Sequence, residues 1–151
     1  MQFSVQQFVN APLSEVFRRY ADFENAAENL SGITNVEILT DGPVGKGTRF
    51  KETRVMFGRE STEELEITEF EQDRLYKVEA ESCGAHFQTI FRSTIEGDAT
   101  RVDVDMKTRS LTLFAKLMAP LGFLMAGTMK KCVTDDIDEI KQLCESSVTQ
   151  G

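Results

Sequence analysis

Residues Val9 to Glu52 read VNAPLSEVFRRYADFENAAENLSGITNVEILTDGPVGKGTRFKE, and the order of signals in this stretch decides the fold. Phe3, Val5 and Phe8-Val9 lead into it as a first strand, with some irregularity in the alternation. Asn10 is placed to cap a helix, Pro12 suits the first helical turn, and Glu15 adds charge that complements the helix dipole. Leu13, Val16, Phe17 and Tyr20 then fall at helical spacing, which predicts a helix of about three turns. A shorter helix is expected around Asn25–Leu30, ending at Ser31-Gly32, where glycine permits a left-handed turn. Ile33–Thr40 reads as a strand, Asp41-Gly42-Pro43 as a turn, and Thr48–Phe57 as the next strand.

Beyond this stretch, strand-like segments follow at close spacing: Glu60–Phe70, Leu75–Ser82, Ala85–Ile95 and Arg101–Ser110. Gly58-Arg59, Gln72-Asp73 and Gly97-Asp98 supply turn chemistry between them, so the pattern predicts an antiparallel meander. From about Leu111 to Ser147 the period becomes helical. Ile137, Ile140, Leu143 and Cys144 form one apolar face, with Asp135, Asp138, Glu139 and Lys141 expected on the solvent side. The first half of this segment, LTLFAKLMAPLGFLMAG, is apolar nearly all round. Lys116 and Pro120 interrupt it and it is short, so integral membrane association is not expected. Pro120-Leu121-Gly122 is expected to break or kink the helix. With no repeat and no linker, residues 1–151 read as one domain.

Taken in order, the Ala-Pro helix start, the GPVGKGTRF turn, six further strands and a terminal helix resemble the START/Bet v 1-like (SRPBCC) superfamily, in its polyketide cyclase/dehydrase-like branch. The resemblance covers almost the whole chain. It implies an α+β helix-grip fold, with a curved antiparallel sheet of about seven strands wrapped around a long C-terminal helix and two short helices after strand 1. It also implies a deep apolar pocket between sheet and helix.

Composition narrows the function classes. Net charge is −8 with a pI near 4.7, which argues against binding a phosphate backbone or anionic lipid headgroups. Eleven Phe and six Met, without Trp, suit a dry and adaptable interior. Cys83, Cys132 and Cys144 are widely spaced beside a single His, so neither a zinc site nor a disulfide framework is supported. No cofactor is called for. The start, MQFSVQQF, lacks a basic segment and an apolar signal core, which points to a cytoplasmic protein. A homodimer is compatible with the chain.

Strand parity assigns a pocket side. On Thr48–Phe57 the family's pocket parity corresponds to Thr48, Phe50, Glu52, Arg54 and Met56. Leu65 and Ile67 set the inward parity of the next strand, bringing in Glu63 and Ser61. Tyr76 with Val78, Phe87 with Phe91, and Val104 with Met106 extend the lining along the later strands. From the helix, Leu121, Leu124, Met125, Met129 and Val133 are the choices. If Gly58-Arg59 forms a two-residue loop, Phe57 pairs with Glu60, Arg54 faces Glu63 and Glu52 faces Leu65. An inward Arg54–Glu63 pair would then anchor a polar group of a mostly apolar ligand. The competing reading turns these charges outward through a bulge or register slip.

Catalytic signatures are sparse. His86, the only His, falls on the outer parity, and GPVGKGTRF leads into a strand where a phosphate loop would need a helix. The first reading is therefore binding or carriage of a lipid, quinone or polyketide-like molecule. The alternative is a cyclase or aromatase-dehydratase in which Arg54 polarises a carbonyl and Glu52 or Glu63 moves a proton. A third reading is a protein-interaction domain, which would have a filled core and an exposed apolar patch.

Overall fold

The computed structural model of the chain describes residues 2–56, 58–82, 84–113, 117 and 119–150, with the side chains at 56, 119–126 and 147–150 outside that description. Its strands are β1 (Gln2–Val9), β2 (Ile33–Ile38), β3 (Arg49–Met56) and β4 (Arg59–Glu71), then β5 (Leu75–Ser82), β6 (Ala85–Glu96) and β7 (Ala99–Ser110). The helices are α1 (Leu13–Tyr20), α2 (Ala26–Asn29) and α3 (Ala119–Gln150). The strands form one antiparallel sheet in the order β1-β7-β6-β5-β4-β3-β2. Helices α1 and α2 carry the chain from one sheet edge to the other, and β7 then closes back on β1. Register irregularities at Ile33/Asn35 in β2 and at Ile67/Glu69 in β4 bend the strands. This is the α+β helix-grip architecture expected from the order of elements.

Burial explains how the layers hold together. Val16 and Phe17 of α1 are fully buried with Val9, Phe91 and Val102 of the sheet, and Ile137, Ile140 and Cys144 of α3 complete this cluster. An aromatic stack runs through it. The Phe91 ring lies 4.8 Å from Tyr76 and 4.9 Å from Tyr20, both in stacked geometry. A second cluster joins Phe50, Ile67 and Val78.

Several local expectations are corrected. Helix α1 spans eight residues, so it is nearer two turns than three. Its N-cap position is Pro12, and Asn10 makes no cap; the Asn10 backbone N–H instead donates to Glu145 Oε2 of α3 at 2.8 Å. Gly32 is not left-handed. Its lack of a side chain admits Arg54, because a Cβ there would lie 3.3 Å from Arg54 Nη1. Pro120 is the second residue of α3, where the missing N–H has no intrahelical acceptor to lose. Leu113 and Leu117 ahead of it are also helical, so the long helix begins at the expected Pro120 interruption, with 114–116 and 118 outside the described residues.

The solvent-facing assignment of α3 also needs revision. Asp138 accepts a hydrogen bond from Gln7 Nε2, and Glu139 accepts from the backbone N–H of Ser31 at 2.9 Å and its hydroxyl at 2.6 Å. Carboxylates on α3 thus fasten the helix to β1 and to the α2–β2 turn.

Candidate functional site

The β3–β4 hairpin sets the site's polar centre. Met56 pairs with Arg59, with Gly58 at φ +76° in the connection. The expected Phe57–Glu60 pair involves Phe57, which lies outside the described residues. Relative to expectation, β4 is displaced by two residues, so Arg54 pairs with Ser61, Glu52 with Glu63 and Phe50 with Leu65. A shift of two preserves side-chain parity, and the inward set survives while its partners change.

Arg54 therefore does not meet Glu63. Its Nη2 donates to Glu52 Oε1 at 2.8 Å and to Asp136 Oδ2 of α3 at 2.8 Å, and its Nε reaches Glu52 Oε1 at 3.2 Å. The three side chains are only 17–20% exposed. Burial alone would lower the Arg54 pKa, but the charge of Glu52 and the charge and hydrogen bond of Asp136 outweigh it, and the guanidinium is held firmly protonated. Asp136 is displaced upward, chiefly by burial and against the pull of Arg54. Glu63 stands apart: its Oε1 accepts from Ser82 Oγ at 2.8 Å and Ser61 Oγ at 3.1 Å.

Around this centre the interior is not filled. A cavity of about 260 Å³ lies between the sheet, α1, α2 and α3, and a second of about 210 Å³ adjoins it. Both are lined by Glu52, Arg54, Leu65, Val78, Met106 and Met129, so the charged centre sits where the two lobes meet. The first lobe adds Phe50, Tyr76, Phe91 and Val133 from the expected residues; the second adds Glu63 and Phe87. Tyr76 is half-buried, desolvation pushes its phenol well above the usual range, and its hydroxyl donates to the Tyr20 carbonyl at 3.1 Å.

Other expected lining residues lie elsewhere. Ile67 is fully buried against Phe50 and Val78, and Val104 packs with Phe91, Ile140 and Cys144; both are sealed in the core rather than on a cavity wall. The side chains of Met56, Leu121, Leu124 and Met125 lie outside the described residues. Asp136 was missed, as were Tyr20, Phe23, Cys132 and Ile137. Asp136 had a signal: it follows Met129 by seven residues and Val133 by three, and precedes Ile140 by four, which puts it on the apolar stripe. His86 stays on the outer face, with Nε2 2.9 Å from Glu79 Oε1. Among the described residues, no group of three or more His, Cys, Asp or Glu is arranged to hold a metal ion, and no helix is long and apolar enough to cross a membrane.

The two described cysteines provide a probe of this geometry. Cys144 is fully buried, and burial pushes its thiol up to about 11, whereas Cys132 lines the first lobe and is partly exposed. A rise of two units cuts the thiolate fraction about a hundredfold. Brief N-ethylmaleimide treatment at neutral pH is thus expected to label Cys132 and leave Cys144 intact until unfolding. Mass-spectrometric mapping checks this, and equal labelling of the two would contradict the packing of α3.

A seven-stranded antiparallel sheet with two short helices after β1 and a long C-terminal helix is the helix-grip fold of the START/Bet v 1-like superfamily. Residues 1–145 match the model of the "Polyketide cyclase / dehydrase and lipid transport" family, and the chain belongs to that family. Similar solved structures include Ara h 8.0201, at 16% identity and TM-score 0.79, covering 97% of this chain and 98% of that one. Zhui aromatase/cyclase from Streptomyces sp. R1128 is 15% identical at TM-score 0.75, with 98% of this chain and 95% of that one covered. A START superfamily protein from Mycobacterium smegmatis is 14% identical at TM-score 0.69, with coverage of 99% and 97%. At these identities the likeness concerns the fold. No curated protein matches the sequence.

Proposed function

We propose that the chain, acting as one domain, binds or carries a small, mostly apolar molecule in the two-lobed cavity between the sheet and α3. The observation that carries this reading is the cavity itself, with lobes of about 260 and 210 Å³ that share one wall of apolar side chains around Arg54. Together the lobes fall in the lower part of the range of about 300–1,000 Å³ common for ligand sites. Phe50, Leu65, Val78 and Phe91 supply apolar contact, while Glu52, Arg54, Asp136 and Glu63 supply a few convergent polar groups. That combination suits a lipid, quinone or polyketide-like molecule with one polar end.

Arg54 takes a positioning role in this account. It is committed to Glu52 and Asp136, so it holds β3 and α3 at a fixed separation and keeps the lobes open. Titration with the neutral fluorophore N-phenyl-1-naphthylamine tests the reading. Saturable enhancement of emission at one probe per chain is the expected result, and linear, non-saturating emission would overturn it.

A further inference from the structure

We infer that the cavity selects apolar molecules bearing a hydrogen-bond donor, a hydroxyl or an ammonium, and discriminates against those ending in a carboxylate. This rests on the binding reading above and adds the chemical class of the ligand. Among the described residues, the charged ones lining the two lobes are four carboxylates, Asp22, Glu52, Glu63 and Asp136, and two guanidiniums, Arg19 and Arg54. Neither guanidinium is uncommitted. Arg19 pairs with Glu15 on its own helix at 3.1 Å, and Arg54 bridges Glu52 and Asp136.

The carboxylates differ in what they have left to give. Asp22 accepts from Asn25 Nδ2, and Glu52 and Asp136 share one guanidinium. Glu63, in the second lobe, is held only by the hydroxyls of Ser61 and Ser82 through one of its two oxygens. An ionised carboxylate accepts about four hydrogen bonds, so Glu63 retains acceptor capacity and brings no donor. A ligand hydroxyl or ammonium in that lobe gains a charge-assisted hydrogen bond. A ligand carboxylate there meets like charge in a partly desolvated space, with no free cation among the described lining residues to offset it.

Displacement of N-phenyl-1-naphthylamine by decanol, decylamine and decanoic acid at pH 7.5 tests this, since the three share one chain and differ in the head. Decanol and decylamine are expected to compete at concentrations at least about tenfold below decanoate. The amine matters because it is charged as well. A cavity that merely penalised charge would reject decylamine and decanoate alike, and that result overturns the inference, as does any ratio of decanoate to decylamine below tenfold. Glu63→Gln keeps the acceptor oxygen for Ser61 and Ser82 and removes the charge. It should improve decanoate competition at least about fivefold and weaken competition by decylamine and, less, by decanol, whose donors lose the charge that assists them; no gain for decanoate overturns the assignment to Glu63. Failure of the probe itself to bind wild-type protein would overturn the binding reading as well, whereas a wrong order among bound competitors overturns the selectivity alone.

Discussion

Replacing Arg54 by Met is expected to lower folding stability at neutral pH by about 3 kcal/mol, at the low end of the range for breaking a buried ion pair because a fifth of each side chain still meets water. The loss comes from what is left behind. Glu52 and Asp136 would face each other across the β3–α3 junction without their shared cation. The charge-neutral background Glu52→Gln/Asp136→Asn should recover most of the stability of Arg54→Met. Urea unfolding of the single and triple variants measures this, and a triple variant as unstable as the single would assign the loss to packing instead.

The same substitution has a pH signature. Burial already raises the Asp136 pKa in the wild type, and Arg54 is the influence that lowers it. Without Arg54 the folded-state pKa climbs further above its unfolded value, so the folded variant binds protons more readily than its unfolded chain. For a carboxyl shifted upward, the penalty is fully present above the folded pKa. It is relieved as pH falls through that value toward the ordinary Asp range of about 3.9. The stability gap between Arg54→Met and wild type should therefore narrow from pH 7.5 to pH 5. A constant or widening gap would place the cost elsewhere.

Phe91→Ala is expected to cost about 4 kcal/mol, independent of pH over the same interval. Phe91 is 1% exposed and sits between Tyr20 and Tyr76, with Phe17 6.1 Å away in tilted contact. Truncation removes both stacking faces at once and leaves α1 and β5 without their common partner. Relaxation would be limited, because Tyr20 and Tyr76 are each tied by their hydroxyls, to the Ile137 and Tyr20 carbonyls respectively. A loss below about 1 kcal/mol in urea unfolding would show that this stack is not the structural centre of the domain.

The fold was legible because period-2 alternation and turn residues are local signals, and Leu75–Ser82 was bounded correctly from them alone. The inward parity of Glu52, Arg54 and Glu63 was legible for the same reason. Their partners were not. A hairpin loop displaced by one residue moves every cross-strand pair by two positions without moving any side chain to the other face, so parity holds while pairing fails.

Asp136 was lost for a different reason. Asp135, Asp138, Glu139 and Lys141 read as a solvated helix face and Asp136 among them drew no assignment, yet Asp136, Asp138 and Glu139 each have a partner outside α3. Those partners, Arg54, Gln7 and Ser31, lie about a hundred residues or more from the helix for two of the three, and only the tertiary fold brings them together. Gly32 follows the same logic: its role is space for Arg54, which no local turn rule encodes.

The measurement that bears most directly on the central claim is an N-phenyl-1-naphthylamine isotherm of wild-type protein beside Leu65→Trp. Leu65 lines both lobes, so an indole at that position should occupy the space where they meet. The account predicts saturable binding at one probe per chain for the wild type and at least about tenfold weaker binding for a Leu65→Trp protein that still unfolds cooperatively. Equal binding by the two proteins, or no saturable binding by the wild type, would contradict an internal ligand cavity.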